Sequence, residues 1–379
     1  MIYLDNAATT FPKPNEVYTE VDNCLRTYCA NPGRGSHNMS IKCEMKILSC
    51  RDLLATLFNI SDPLRIIFTS NTTDSLNIAI KGLLKPGDHV ITTMIEHNSV
   101  LRPLHSLKKD NIEITTIPVD LRGYLNLKDI QNSIKSNTKA LIVNHGSNVL
   151  GTIQDIVSIG ELAKKFGLVF IVDAAQTAGY SDIDVKKMNI DLLAFPGHKS
   201  LLGLQGTGGL FISENINLSS LKEGGTGSNS NSIIHPDFCP DKFESGTLNT
   251  PGIVALSEGV KFILNKGINN IRNHEINLME YLTSELKKLP YIKIYGETEP
   301  SIKTPVLSFN MDRFDSSDIG KILSKKEIFL RTGYHCTPLI HKIIGTEFKG
   351  TVRISPGYFN TFYDIETLIN VLIEINNSY

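Results

Sequence analysis

A lysine and an aspartate at the ends of two short apolar segments are the residues of this chain best suited to chemistry. Asp173 follows the apolar run 168–172, and Lys199 comes shortly after the run 192–195. A lysine in a partly desolvated pocket has a lowered pKa and can form a Schiff base with an aldehyde, while a buried carboxylate can keep a pyridine nitrogen protonated. The pair therefore predicts a pyridoxal phosphate site. The alternative is two core strands that end in surface polar residues.

Strand-like and helix-like patterns alternate along the first two thirds of the chain and could position these two side chains. The predicted strands are 65–69, 89–93, 113–118, 140–144, 168–173, 192–195 and 209–213. Amphipathic helical patterns between them include 74–84, 100–109 and 156–166. This order predicts an α/β fold with a mostly parallel sheet that is covered by helices on both faces. The carboxyl ends of its strands would bring Asp173 and Lys199 together.

The last third of the chain predicts a smaller unit. Its predicted elements are a helical stretch with a break near Gly267, two strands and a closing helix, at 252–289, 306–310, 352–355 and 365–375.

Composition narrows the class of protein. The chain has 379 residues and a net charge of -1, which is long enough for a substantial core. Near-neutral charge without a basic arm argues against nucleic acid as a partner. No apolar run approaches the roughly 20 residues that a membrane helix needs, and the first residues lack the pattern of a signal peptide. We expect a cytoplasmic protein with no membrane partner.

The six cysteines do not predict a metal or disulfide site. None of them forms the C-x-x-C pair that redox and zinc sites use. Cys43 and Cys50 lie seven residues apart on a predicted amphipathic helix and would face a core. We therefore expect free thiols and no metal, although four cysteines lie near His37.

Motifs in a fixed order across nearly the whole chain resemble one family. They run from YLDNAATT at 3–10 to YFNT at 358–361. Between these ends lie EHNS, SNVLG, DAAQ, GHK, FESGT and RTGYHC, at 96–99, 147–151, 173–176, 197–199, 243–247 and 331–336. The chain resembles class V aminotransferase-fold enzymes that use pyridoxal phosphate, and within them the Suf-type (group II) cysteine desulfurases and selenocysteine lyases.

That resemblance implies the type I fold of pyridoxal phosphate enzymes. A large domain at 15–255 would hold a mostly parallel seven-stranded sheet covered by helices. Residues 1–14 and 256–379 would form the small α+β domain.

The resemblance also implies which residues hold the cofactor's phosphate. Thr72 and Thr73 lie in the segment that joins a predicted strand to a predicted helix, whose N–H groups and dipole suit a phosphate dianion; an ordinary N-cap is the alternative. His198 resembles a phosphate ligand. Thr247 matches a residue that reaches the phosphate across a dimer interface, so a homodimer is implied. Pro196 departs from the family's usual serine, and since proline lacks both donors, one phosphate hydrogen bond should be missing or replaced.

A second group resembles the residues around the cofactor's ring. His97 resembles the imidazole that stacks on the pyridine ring. Asn148 and Gln176 resemble the groups that hydrogen-bond the phenolic oxygen and tune the ring. Asp173 would pair with the pyridine nitrogen, and Lys199 would carry the Schiff base and shuttle the substrate's alpha proton.

Cys336 and Arg353 decide the predicted reaction. Cys336 follows a glycine in the RTGYHC motif, which is typical of an active-site loop, and the adjacent His335 could assist its deprotonation; a buried, unreactive cysteine is the alternative. Arg353 resembles the guanidinium that binds the substrate carboxylate in a bidentate fork, with Asn148 also on the substrate. Its alternative is a strand-end surface arginine.

Arg34 and His37 resemble an entrance loop at the substrate site, contributed by either subunit. The residues together predict a homodimeric L-cysteine desulfurase that forms alanine and a persulfide on Cys336, for delivery to a sulfur-acceptor protein. A selenocysteine lyase that does not use Cys336, a transaminase for another amino acid, and a protein that binds pyridoxal phosphate without turnover are the alternatives.

Overall fold

The computed structural model describes residues 1–33 and 35–378. Its β-strands are β1 Ile2–Tyr3, β2 Ile66–Thr69, β3 His89–Thr93, β4 Glu113–Ile117, β5 Thr138–Asn144, β6 Val169–Asp173, β7 Leu192–Pro196, β8 Gly208–Ile212, β9 Ile292–Tyr295, β10 Leu307–Met311, β11 Ile328–Phe329, β12 Arg331–Gly333 and β13 Thr351–Ile354. Its α-helices are α1 Asn15–Thr27, α2 Asn38–Phe58, α3 Thr72–Leu83, α4 Asn98–Leu107, α5 Leu127–Asn132, α6 Ile156–Lys165, α7 Thr250–Lys266, α8 Ile268–Lys287, α9 Ser316–Lys325, α10 Pro338–Ile343 and α11 Phe362–Ser378.

A seven-stranded sheet organises the first two thirds of the described chain, in the order β2-β8-β7-β6-β5-β3-β4. Strands β3 to β7 run parallel to one another, and β8 runs antiparallel to both β2 and β7. The predicted mostly parallel α/β sheet is therefore confirmed. The predicted strand 89–93 has the observed bounds, and each of the other six differs from the observed strand by one or two residues in its bounds.

The central strands form because their residues are apolar on both faces. Strands β6 and β7 are buried along their whole length, as expected for parallel strands with helices on both sides. Helices α2, α6 and α7 pack on one face and α3 and α4 on the other. Each fully buried Ile, Leu or Phe contributes roughly 1.5–3 kcal/mol of burial free energy. This packing fixes the strand ends that carry Asp173 and Lys199.

A second, antiparallel sheet follows, in the order β12-β13-β10-β9. Helices α8, α9 and α11 supply its apolar core, which also includes Ile2 and Leu4 at the amino end of the chain. The amino end joins this unit because β1 pairs in parallel with β11. Helix α7 packs Ile253, Leu256 and Val260 against the large sheet. The division of the chain at residue 255 stays a prediction.

The cysteines are free thiols. Cys43 and Cys50 are both fully buried, as their helical spacing predicts. Cys50 belongs to the large core, and Cys43 packs with Cys24, Tyr28 and Val254. Separately, no helix within residues 1–33 and 35–378 is both long and apolar enough to cross a membrane.

Candidate active site

A cavity of about 210 Å³ lies where the carboxyl ends of the parallel strands face the second sheet. Nine of the side chains that the sequence predicts as site residues line it. They are Thr72, Thr73, His97, Asn148, Asp173, Gln176, His198, Lys199 and Arg353. Most of them follow the carboxyl ends of parallel strands, which meet at one edge of the sheet, and this explains their position.

Asp173 and Lys199 form the polar floor of this cavity. Asp173 is the last residue of β6, is 1% exposed, and its Oδ1 accepts from the Ala175 N–H at 2.9 Å. Desolvation by burial raises the pKa of Asp173 to about 6, opposed by that hydrogen bond and by the charge of Lys199. Desolvation also lowers the pKa of Lys199 to about 8, while Asp173 opposes that shift. A substantial share of Lys199 is therefore a neutral, nucleophilic amine near pH 8.

The peptide before Lys199 is held by the amino end of the chain. The His198 carbonyl accepts hydrogen bonds from the Thr10 N–H at 3.1 Å, from Thr9 Oγ1 at 3.2 Å and from Lys13 Nζ at 2.8 Å. Lys13 is 8% exposed, and burial lowers its pKa to about 7. Gly197 is required on this path, because a Cβ there would lie 2.2 Å from Thr207 Oγ1.

His97 links the cavity to the start of α4. It caps this helix, with Nδ1 accepting from the Ser99 N–H at 3.1 Å and lying 2.8 Å from the Ser99 hydroxyl. That hydroxyl lies 2.7 Å from Thr73 Oγ1. Burial first, and the charge of Lys199 second, lower the pKa of His97 to about 4, so the imidazole is neutral at physiological pH.

The cavity has polar groups that suit pyridoxal phosphate. Helix α3 directs its amino terminus into the cavity, and the Asn71 side chain caps it by accepting from the Asp74 N–H, so the first N–H groups of the helix remain for an anion. His198 Nδ1 is a buried atom with no hydrogen-bond partner among the described residues. The anion site, the carboxylate of Asp173 and the amine of Lys199 match the phosphate, pyridine nitrogen and aldehyde of that cofactor.

Two opposed arginines form the side of the cavity made by the second sheet. Arg331 on β12 pairs directly with Arg353 on β13, and both line the cavity. Arg353 is 1% exposed, which excludes a surface role; its Nη2 donates to Asp5 Oδ1 at 2.5 Å and its Nη1 to the Asn148 carbonyl at 3.1 Å. Its buried Nε has no partner in the described chain. Like charges directly opposite on a sheet repel, so this wall favours an anion.

Cys336 lies beside the cavity, in an adjoining open pocket of about 420 Å³ that shares Thr73, His97 and Ser99 with it. Arg331 Nη2 is 3.5 Å from the Cys336 sulfur. The His335 Nε2 lies 3.0 Å from Thr351 Oγ1, while its buried Nδ1 has no partner among the described residues, so its assistance to Cys336 stays a prediction. The cation at the sulfur is Arg331.

Asn148 joins the two sides of the cavity. Its Nδ2 donates to the His335 carbonyl at 2.6 Å, and its Oδ1 accepts from Thr337 Oγ1 at 2.7 Å. The amide therefore holds the segment that carries Cys336. Its predicted contacts with cofactor and substrate remain predictions, as does the ring contact of Gln176, whose Nε2 donates to the Ala7 carbonyl at 3.0 Å.

Two predicted site residues, Thr247 and His37, do not line this cavity. Thr247 is exposed and lines a different cleft, together with Ser70 and Asp74. His37 is exposed and caps α2, with Nδ1 accepting from the Ser40 N–H at 3.3 Å. Arg34 lies outside the described residues. The roles of all three remain predictions.

Four residues around the site were not singled out by the sequence. Asp5 pairs with Arg353, Lys13 binds the His198 carbonyl, Arg331 approaches Cys336, and Asn144 lines the cavity. Of these four, only Asn144 could have been found from local sequence, because it ends a predicted strand that lies next to the strand of Asp173. The others depend on contacts between distant parts of the chain.

Comparisons with known proteins agree with this geometry. The family model Aminotransferase class-V matches residues 2–368. A probable cysteine desulfurase from Methanothermobacter thermautotrophicus is 35% identical, over 99% of this chain and 94% of that protein. A cysteine desulfurase from Escherichia coli O7:K1 is 30% identical, over 99% of this chain and 93% of its own.

Solved structures give the same result. The structure of a cysteine desulfurase from Thermococcus onnurineus NA1 has a TM-score of 0.90 and 33% identity, over 100% of this chain and 95% of its own. The cysteine desulfurase CsdA from Escherichia coli, in an S-sulfonic acid form, has a TM-score of 0.88 and 26% identity, over 98% of this chain and 94% of its own. Enzymes of this family generally depend on pyridoxal phosphate. The chain belongs to the class V aminotransferase family, and its relatives in sequence and structure are cysteine desulfurases.

Proposed function

We propose that this protein is a pyridoxal phosphate-dependent L-cysteine desulfurase that works as a homodimer. The observation that carries the proposal is the meeting of an amine, a carboxylate and a buried arginine in one cavity with a cysteine thiol beside it. The relatives described above are named cysteine desulfurases, and a dimer is usual in the family.

Binding of cofactor and substrate would divide between the two sides of the cavity. Thr72, Thr73 and His198 would hold the phosphate, Asp173 the pyridine nitrogen, and Lys199 the aldehyde carbon. Once bound, pyridoxal phosphate supplies an electron sink for the substrate's alpha carbon. Thr247, which lies away from its own chain's cavity, would complete the phosphate site of the second subunit.

Arg353 would orient the substrate. Its Nε, which has no partner among the described residues, and its Nη2, which donates to Asp5, would form the fork for a carboxylate. With the carboxylate held there, Lys199 would remove the alpha proton and return it, because its lowered pKa lets it act as base and acid near neutral pH. The neutral imidazole of His97 would pack against the ring.

Cys336 would accept the sulfur. In the balanced reaction, the substrate's Cβ–S bond breaks and a bond forms between that sulfur and Cys336, so that cysteine and the enzyme thiol become alanine and an enzyme persulfide. Arg331 would favour the attacking thiolate through its charge. The persulfide then passes its outer sulfur to an acceptor.

The decisive experiment measures alanine and sulfide from L-cysteine and a reductant, with wild type, Cys336→Ala and the control Cys29→Ala, an exposed free thiol. We expect equal amounts of both products from wild type and the control, and loss of cysteine turnover in Cys336→Ala. L-selenocysteine is run in parallel. An unaffected Cys336→Ala, or turnover of selenocysteine alone, would favour the lyase, and a keto acid product would favour transamination.

A further inference from the structure

The turn that carries Cys336 has an unusual backbone. The Tyr334 carbonyl accepts from the Thr337 N–H at 3.0 Å, and the two residues between them have positive φ angles, 50° for His335 and 61° for Cys336. Two successive positive φ angles are typical of a type I′ turn, which favours Asn and Gly. A residue with a Cβ is disfavoured there, because its Cβ approaches the carbonyl oxygen that follows. The surroundings must therefore stabilise this turn.

Hydrogen bonds from three elements hold the carbonyls of the turn. Asn148 Nδ2 binds the His335 carbonyl, and the Asn98 N–H binds the Cys336 carbonyl at 2.8 Å. These two donors adjoin the cavity. The Tyr334 carbonyl receives its side-chain donor from His341, a residue of α10 that is fully buried and lies away from the described lining of the cavity.

The geometry fixes the tautomer of His341. Its Nε2 is 3.1 Å from the Tyr334 carbonyl and its Nδ1 is 2.7 Å from Thr346 Oγ1. Because a carbonyl only accepts, Nε2 carries the proton and Nδ1 accepts from the Thr346 hydroxyl. The Tyr334 ring meets the imidazole edge-on at 5.3 Å. Burial lowers the pKa of His341, which keeps this neutral form at physiological pH.

We propose that His341 is a positioning residue for the sulfur-accepting nucleophile. By holding the Tyr334 carbonyl, it keeps His335 and Cys336 in the left-handed region and the Cys336 sulfur beside Arg331. This inference rests on the proposed function and deepens it, since it concerns sulfur capture alone. Cofactor binding and proton transfer at Lys199 do not involve His341.

The test compares His341→Ala, His341→Gln and Thr346→Val in the cofactor-loaded enzyme. Gln can place an N–H near the position of the imidazole Nε2, so it is the conservative variant, and Thr346→Val removes only the group that orients the ring. His274→Ala is the matched control, because His274 Nε2 also lies within 3.0 Å of a backbone carbonyl, that of Asn360. Each variant is assayed for kcat and KM with L-cysteine, for turnover of L-selenocysteine, and for hydrogen–deuterium exchange of the peptide 331–345.

In His341→Ala we expect kcat for L-cysteine to fall roughly tenfold with KM within about twofold, because a lost buried hydrogen bond displaces the nucleophile. Turnover of selenocysteine and the cofactor spectrum should stay near wild type, and the Thr337 amide should exchange faster. His341→Gln should recover most of kcat, Thr346→Val should lose a smaller share, and His274→Ala should match wild type.

Unchanged kcat and exchange in His341→Ala would overturn the proposal. Equal losses with both substrates, or a lost cofactor spectrum, would indicate a merely structural role and would overturn it as well. If His341→Ala does not fold, a Thr346→Val enzyme with unchanged kcat and unchanged exchange would overturn the proposal instead. Failure of the proposed function looks different: Cys336→Ala then keeps its cysteine turnover, while the exchange data still report whether His341 holds the turn.

Discussion

The two sides of the cavity are built in different ways. The strand-end wall, which comprises His97, Asp173, His198 and Lys199, is carried by segments that directly follow strands of the parallel sheet. The second-sheet wall, which comprises Arg331 and Arg353, belongs to an antiparallel sheet, and Cys336 lies beside it on a tight turn. The first wall suits a cofactor and the second suits a substrate's carboxylate and sulfur.

The difference between the walls lies in how their charges are balanced. In the strand-end wall, Asp173 and Lys199 oppose each other's shifts in pKa without a direct ion pair. In the second-sheet wall, two cations face one another, and only Arg353 has a carboxylate partner among the described residues, Asp5. In the strand-end wall the chain itself supplies charges of both signs, whereas the second-sheet wall carries more positive than negative charge and favours a bound anion.

The largest effect should come from Lys199→Ala. Loss of proton transfer alone costs roughly 10²- to 10⁴-fold in rate, and the aldehyde loses its amine as well. Alanine formation should fall below detection, and borohydride should trap the cofactor on wild type but not on the variant, as measured by intact mass. The exposed Lys187 provides the control Lys187→Ala. Activity within tenfold of wild type would show that the strand-end wall is not the catalytic one.

Arg353→Lys should weaken substrate binding through the second-sheet wall. Lysine keeps the charge but cannot form the fork, and loss of one or two charge-assisted hydrogen bonds lowers kcat/KM by about 10- to 100-fold. We expect this fall to come from a higher KM for L-cysteine, while the absorbance spectrum of the cofactor stays unchanged. Arg26→Lys, at an exposed helix position, should behave as wild type. A lost spectrum with normal KM would assign Arg353 to the cofactor instead.

Glu275→Gln should change how stability depends on pH. Glu275 is buried on α8, and burial raises its pKa to about 8 from an ordinary 4.5. Folding therefore favours the protonated acid, and wild type loses stability as pH rises from about 4.5 to about 8. In Glu275→Gln this loss should shrink, on the order of a few kcal/mol between pH 5 and pH 8, measured by urea unfolding. In the control Glu280→Gln, at an exposed position, the free energy of unfolding should depend on pH as in wild type. The same pH dependence in Glu275→Gln would contradict the prediction that Glu275 causes the loss of stability.

The smallest expected effect concerns Pro196, the last residue of β7. Replacing it with Ser adds the hydroxyl that the family resemblance predicts at this position, and one added hydrogen bond should slow loss of the cofactor up to about tenfold. Dialysis followed by absorbance measures this, with Pro86→Ser in an exposed turn as the control. Faster loss of the cofactor from Pro196→Ser would mean that the proline itself contributes to cofactor retention.

The strand-end wall could be predicted well from the sequence, for a local reason. Asp173 and Lys199 stand next to apolar runs whose ends meet whenever the strands are parallel. The second-sheet wall was identified only by resemblance, because nothing local brings Asp5 to Arg353 across 348 residues of chain. That His335 assists Cys336 stays a prediction, because the His335 Nδ1 has no partner among the described residues and its Nε2 lies near Thr351.

By itself, the sequence determined the order of elements, the sheet's carboxyl edge and the lysine and aspartate on it, because hydrophobic periodicity and strand ends are local properties. Only the tertiary structure decided that the Arg353 Nε has no partner among the described residues, that Arg331 approaches the Cys336 sulfur, and that the His341 imidazole lies against the Tyr334 carbonyl. Those features depend on burial and on contacts between distant segments. Burial, in turn, sets the pKa of Lys199 and the neutral form of His97, which no spacing of residues encodes.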